Sequence, residues 1–183
     1  MEVTSPVIFS FDVETVGLYG EPFAFGWVLL SLDKETPKEI ESGYEACPIS
    51  TANGDAEGRQ WVLTHVVPSL PKKTTVNNPT ELYEKVWKVW EEVKKRYKKV
   101  LCVADCGYPV ETSFFRKCVE LKPKERRFDG PFPLHEVGTA LLMAGMNSDD
   151  FPRDKNEEPN HHPTNDARYS GRLFRTAFLK CQH

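Results

Sequence analysis

Val7-Ile8-Phe9-Ser10-Phe11-Asp12-Val13-Glu14 combines β-branched and aromatic residues and is followed by the turn-forming Gly17 and Gly20, a pattern that predicts a strand. Asp12 and Glu14 stand at i and i+2, so they project from one face of that strand with backbones roughly 7 Å apart. Two carboxylates so placed among apolar neighbours repel and raise each other's pKa unless a divalent cation neutralises them.

Outward from this strand, Phe23 to Leu32 is a second apolar run and Ile40 to Cys47 a third strand. Short turns between the three predict an antiparallel meander. A short helix is expected over Trp61 to Val67, ending before Pro68. The next helix has a marked start: Asn78 can cap, Pro79 suits the first position, and Glu81 stands three residues after the cap. Leu82, Val86, Val89, Trp90, Val93 and Tyr97 then make one apolar stripe. Exposed aromatics on the Trp87 side of this helix are where a homodimer contact is expected.

Val100 to Ala104 is a short apolar run, as expected for a central strand covered on both faces, and Val110 to Leu121 returns to helical spacing. A further short strand is placed around Phe128 to Phe132, then a helix over Leu134 to Ala144 with Gly145 as its stop. Asn147 to Asn160 reads as a polar surface loop, and Asp166 to Lys180 as the last helix. The order predicts an α/β fold, a mixed sheet of about five strands flanked by helices.

A chain of 183 residues suits one domain, which buries roughly 70% of its unfolded surface, so residues 1–183 are read as a single unit. Net charge of −3 argues against coating nucleic acid through bulk positive charge but allows a local basic groove. The basic run Lys94 to Lys99 reads as a solvated end that complements its helix dipole. The five cysteines contain no C-x-x-C pair, so neither a disulfide framework nor a thiolate zinc site is suggested. No apolar run approaches the ~18 residues of a membrane span. Met1-Glu2-Val3 lacks a secretory start, and an intracellular, cytoplasmic protein is expected. A G-x-x-x-x-G-K phosphate loop and a G-x-S-x-G elbow are both absent, which argues against a nucleotide triphosphatase and a serine hydrolase.

The first motif, Asp12-Val13-Glu14-Thr15-Val16-Gly17-Leu18, resembles the D-x-E-T-x-G-L motif of the DEDD exonucleases. Near the other end, His161-His162-Pro163-Thr164-Asn165-Asp166-Ala167 resembles the third motif of the subclass with a catalytic histidine, the DEDDh exonucleases. The resemblance implies a ribonuclease H-like fold and 3′-to-5′ hydrolysis of single-stranded DNA or RNA. It implies that Asp12, Glu14 and Asp166 hold two magnesium or manganese ions, a choice that hard oxygen ligands favour. Such cations stabilise charge on both the attacking and the leaving oxygen. Histidine, whose unperturbed pKa lies near ~6.5, suits a general base, and the resemblance gives His161 the role of taking the proton of the attacking water.

The second motif departs from the pattern. Val110-Glu111-Thr112-Ser113-Phe114-Phe115 fits it with Glu111 where the family has Asp, while Asp105 ends the preceding strand. Either can be the fourth carboxylate, and helix register favours Glu111, with Asp105 as a ligand or as a group that orients it. By position, Thr15, Gly17 and Leu18 correspond to substrate contacts, and Leu18 and Phe23 to the apolar residues that stack or wedge the terminal base. His162 stands one residue short of the spacing a base needs. His65 and His135 read as structural histidines among apolar neighbours. The rival reading is a nucleic-acid-binding module, or a subunit of a larger complex, that keeps the nuclease fold with weak or no turnover; the unusual second motif is its encouragement.

Overall fold

The computed structural model describes residues 6–33 and 38–182; Met1 to Val3, read above for a leader, lies outside them. Strands β1 (Val7–Thr15), β2 (Pro22–Ser31) and β3 (Glu39–Ala46) form the expected antiparallel meander. β4 (Val100–Ala104) then pairs parallel with β1, and β5 (Leu134–Glu136) parallel with β4. The order is β3-β2-β1-β4-β5, so the strand that carries Asp12 and Glu14 lies in the middle of a five-stranded mixed sheet.

Alternation along β1 sends Val7, Phe9, Phe11 and Val13 to one face, where they join Leu82, Val86 and Trp90 of α2 (Pro79–Arg96) and Phe114 and Phe115 of α3 (Thr112–Leu121). Ile8 points the other way, into a second core with Leu141 of α5 (Val137–Met143) and Leu173 of α6 (Pro163–Lys180). Each such apolar side chain contributes roughly 1.5–3 kcal/mol on full burial. Ser10, Asp12 and Glu14 continue the Ile8 row, so the acidic residues face the α6 side.

Helix α2 starts as its cap predicts: Asn78 Oδ1 accepts from Glu81 N at 3.0 Å, and the Glu81 carboxylate accepts from Asn77 N at 2.9 Å. Trp87 corrects the surface expected for a dimer contact. It is 1% exposed, because Arg126 of the short helix α4 (Pro123–Arg126) lies 4.8 Å over its ring. Helix α1 (Ala56–His65) begins five residues before the expected Trp61, because Asp55 caps it by accepting from Gly58 N at 2.6 Å.

The expected strand over Phe128 to Phe132 is not one; both residues are 91% exposed. Pro131 and Pro133 have no N–H to offer a ladder, so pairing starts only at Leu134, and the helix expected from Leu134 starts at Val137. Helix α6 starts at Pro163 rather than Asp166, since proline suits the first position; Asp166 therefore lies in the first turn, where the helix dipole favours an anion. Residues 147–160 contain two short 3-10 turns, Ser148–Asp150 and Lys155–Glu157.

All five cysteines are free thiols, Cys47, Cys102 and Cys118 buried and Cys106 and Cys181 exposed. Among the described residues no helix is long and apolar enough to cross a membrane. In the basic run, Lys94 pairs with Asp129 at 2.8 Å and Arg96 with Glu41 at 2.6 Å.

Candidate active site

Two close backbone approaches build the site. Gly26 is the cross-strand neighbour of Asp12, and a Cβ built on it would lie 2.0 Å from Thr164 N. Only glycine therefore lets the first turn of α6 rest directly on β2. Thr164 Oγ1 donates to Gly43 O at 2.9 Å, fastening the same turn to β3. The second follows β1, where Gly17 adopts φ 77° and lies against Gly58 of α1, so that a Cβ built on Gly58 would stand 2.6 Å from Gly17 Cα, and Thr15 Oγ1 donates to the Gly17 carbonyl at 2.7 Å. The turn lifts Leu18 and Tyr19 to the surface, 65% and 80% exposed.

One ligand atom each of Glu14, His161 and Asp166 then lie within 4.8 Å of one another. Asp12 stands on the same strand face, and its carboxyl is held well above the ordinary range by burial first, then by Glu14, Asp166, Glu111 and Asp105. Glu14 is pushed up to about 8 by burial, with Asp166 and Glu111 adding to it. Burial also raises Asp166, against the opposing pull of Arg153.

Glu111 ends an irregular turn, Gly107–Glu111, that leads into α3. It is 9% exposed, and burial, helped by Asp105 and Glu136, pushes its carboxyl up to about 7. Asp105 is exposed at the end of β4. Of the two alternatives, Glu111 is the buried one and the one whose charge acts on both Asp12 and Glu14. Glu136 Oε1 accepts from Gly107 N at 2.7 Å and so holds the start of this turn.

His161 has φ 62°, the left-handed region that few residues other than glycine adopt, Asn, Asp and His more often than the rest. Its ring meets Trp61 edge-on at 5.4 Å. His162 instead stands at the N-cap position of α6 without a side-chain bond to it, with its ring 5.3 Å from Tyr44, and burial lowers its pKa. His65, expected among apolar neighbours, is exposed and stacks on Trp61 at 4.9 Å. His135 is half-buried, 5.6 Å from the Phe174 ring.

Glu14, Gly17, Leu18, Trp61 and Val110 line a cleft of about 570 Å³ beside the carboxylates. On the other side of Leu18 and Tyr19 lies a second cleft of about 480 Å³, with Tyr83, Arg116 and Lys117 in its wall. Phe23 lines neither; at 2% exposed it belongs to the core, which corrects its reading as a base contact. Sequence reading missed Trp61, taken as an ordinary helix residue, and Arg153, which reaches Asp166 from a segment read as plain loop.

The donors fit a hard divalent cation. They are mostly carboxylate oxygens, and their mutual repulsion is what such an ion relieves. Asp166 Oδ1 is buried and, although 2.7 Å from Arg153 Nη1, receives no aligned hydrogen bond.

No family model matches the chain, and no curated protein sequence does. Among solved structures it is similar to cell-death-related nuclease 4, at 11% identity and a TM-score of 0.51, over 96% of this chain and 64% of that one. A full-length 3′-exonuclease matches at 13% identity and a TM-score of 0.52, over 98% of this chain and 62% of the other. A structure described as 3′-end specific recognition of histone mRNA stem-loop by 3′-exonuclease matches at 13% and 0.52, over 98% and 83%. The chain thus spans less than two thirds of the length of the first two. The fold is ribonuclease H-like, a mixed α/β sheet with strands 1, 4 and 5 parallel.

Proposed function

We propose that the protein is a metal-dependent 3′-to-5′ exonuclease acting on single-stranded DNA or RNA. The observation that carries this reading is the meeting of Glu14, Asp166 and His161 within 4.8 Å, with Asp12 on the strand face that Glu14 shares. That three structures of the same fold are named as nucleases supports it.

Asp12, Glu14, Asp166 and Glu111 are the residues to hold the cations, with Asp105 at the rim. Bound there, two magnesium or manganese ions would neutralise charge on the attacking and leaving oxygens of the phosphodiester. His161, beside Glu14 and Asp166, takes the proton of the attacking water at a ring nitrogen. The left-handed backbone at His161 aims the ring at the carboxylates, a cost of roughly 1–2 kcal/mol that such sites carry. Leu18 and Trp61, on the walls of the larger cleft, receive the terminal base, while Thr15 and Gly17 shape the turn against which the sugar lies. Base stacking there contributes roughly 1–3 kcal/mol and tolerates any sequence.

Digestion of a 5′-labelled single-stranded oligonucleotide tests this. A ladder shortening from the 3′ end with magnesium or manganese, and abolished by chelator, is expected. Intact oligonucleotide that the protein nevertheless binds would replace this reading with the binding-module one.

A further inference from the structure

Arg153 reaches the carboxylate site from outside the motifs. Its Nη1 forms an ion pair with Asp166 Oδ1 at 2.7 Å and donates to Glu157 O at 2.8 Å. Its guanidinium lies 4.4 Å over the Tyr169 ring.

The segment that carries Arg153 is fastened to α6. Asp154 and Glu157 cap the turn between them reciprocally, and Glu157 is only 2% exposed. Arg172 grips the Glu157 carboxylate at 2.6 and 2.7 Å and donates to Pro152 O at 2.9 Å. The Tyr169 hydroxyl donates to Phe151 O at 3.0 Å, and Arg168 donates to Asn156 O at 2.8 Å. The helix that presents Asp166 therefore also sets the position of Arg153, and a stacked, hydrogen-bonded guanidinium has little freedom left to lose on binding.

The two polar contacts both use Nη1. The edge formed by Nη2 and Nε has no partner among the described residues. That edge is a planar donor fork, the geometry that matches two oxygens of a phosphate. A site crowded with carboxylates repels a phosphodiester, and a fixed cation paired with Asp166 offsets that repulsion beside it.

We propose that Arg153 is a phosphate-binding residue of this site, holding oxygens of the terminal phosphate through its Nη2 and Nε edge while Nη1 stays on Asp166. The proposal rests on the exonuclease reading above and adds to it a contact outside the motifs.

Calorimetric titration with adenosine 5′-monophosphate, adenosine and manganese alone tests it on the wild type, R153A, R153K and R153Q. R153Q keeps part of the side-chain length over Tyr169, so a folded variant is in hand if R153A is not. The expected result is a loss of roughly 10- to 100-fold in monophosphate affinity in R153A and R153Q, the scale of a charge-assisted hydrogen bond. R153K should restore part of it, and adenosine and manganese affinities should not fall. Unchanged monophosphate affinity overturns the proposal. So does a parallel loss of manganese affinity, which would make Arg153 a support for Asp166 only. If the wild type degrades oligonucleotides and R153A matches it in every titration, this proposal alone fails. A wild type that neither binds manganese nor degrades DNA or RNA overturns the exonuclease reading and this proposal together.

Discussion

Gly26 and Thr164 touch through their backbones, so closely that a methyl group on Gly26 would stand 2.0 Å from Thr164 N. Because Gly26 pairs with Asp12 across β1 and β2, this contact sets how near Asp166 comes to the first motif. Gly26→Ala should therefore destabilise the protein by about 1–3 kcal/mol, the usual cost of overpacking, and should also weaken manganese binding. Denaturant midpoint and metal titration check the two effects separately. Loss of stability with unchanged metal affinity would show that the approach matters to the core alone.

Metal should stabilise the fold more as pH rises. The Glu14 carboxyl, ordinarily near 4.5, is held at about 8, so between these values the native state binds more protons than the unfolded one. Stability of the metal-free protein then falls as pH rises through that window. A cation that lets the carboxylates ionise together removes the penalty and releases protons as it binds. The melting temperature should rise more with manganese at pH 8 than at pH 5.5. An equal rise at both values would contradict the coupling.

His161→Asn separates strain from chemistry. Asparagine tolerates the left-handed backbone that His161 adopts at φ 62°, so the variant should be at least as stable as the wild type. Its turnover should fall about 10²- to 10⁴-fold, the contribution of a general base. Thermal melts and initial rates on one preparation give both numbers.

Trp61→Ala should act on substrate rather than metal. Trp61 is 47% exposed, lines the larger cleft and meets His161 edge-on. Loss of one stacking platform should weaken oligonucleotide binding by roughly 1–3 kcal/mol and leave manganese affinity as it was. Fluorescence anisotropy with a 5′-labelled oligonucleotide and calcium in place of magnesium checks it.

The meander, the capped helix α2 and the central strand β4 were legible because each rests on local patterns, namely alternation, a capping box and a buried apolar run. Trp87 was misplaced because its cover, Arg126, comes from a helix 39 residues further on, and no spacing rule reports such a contact. Phe128 and Phe132 looked like strand by propensity, but the prolines at 131 and 133 decide the ladder. At the site, Asp12, Glu14, His161 and Asp166 stood out through their motifs. Glu111 and Asp105 were alternatives in the sequence, which carries no signal that Glu111 is buried and Asp105 exposed. Arg153 carried no local signal, since what brings it to Asp166 is the grip of Tyr169 and Arg172 on its segment.

The most direct test of the central claim is mass spectrometry of the products released from a single-stranded oligonucleotide by the wild type, Asp12→Asn and Asp166→Asn, each with magnesium or manganese. The wild type should release nucleoside 5′-monophosphates one at a time from the 3′ end, and neither variant should release any. Products of equal amount from all three proteins, or none from a folded, metal-bound wild type, would contradict it.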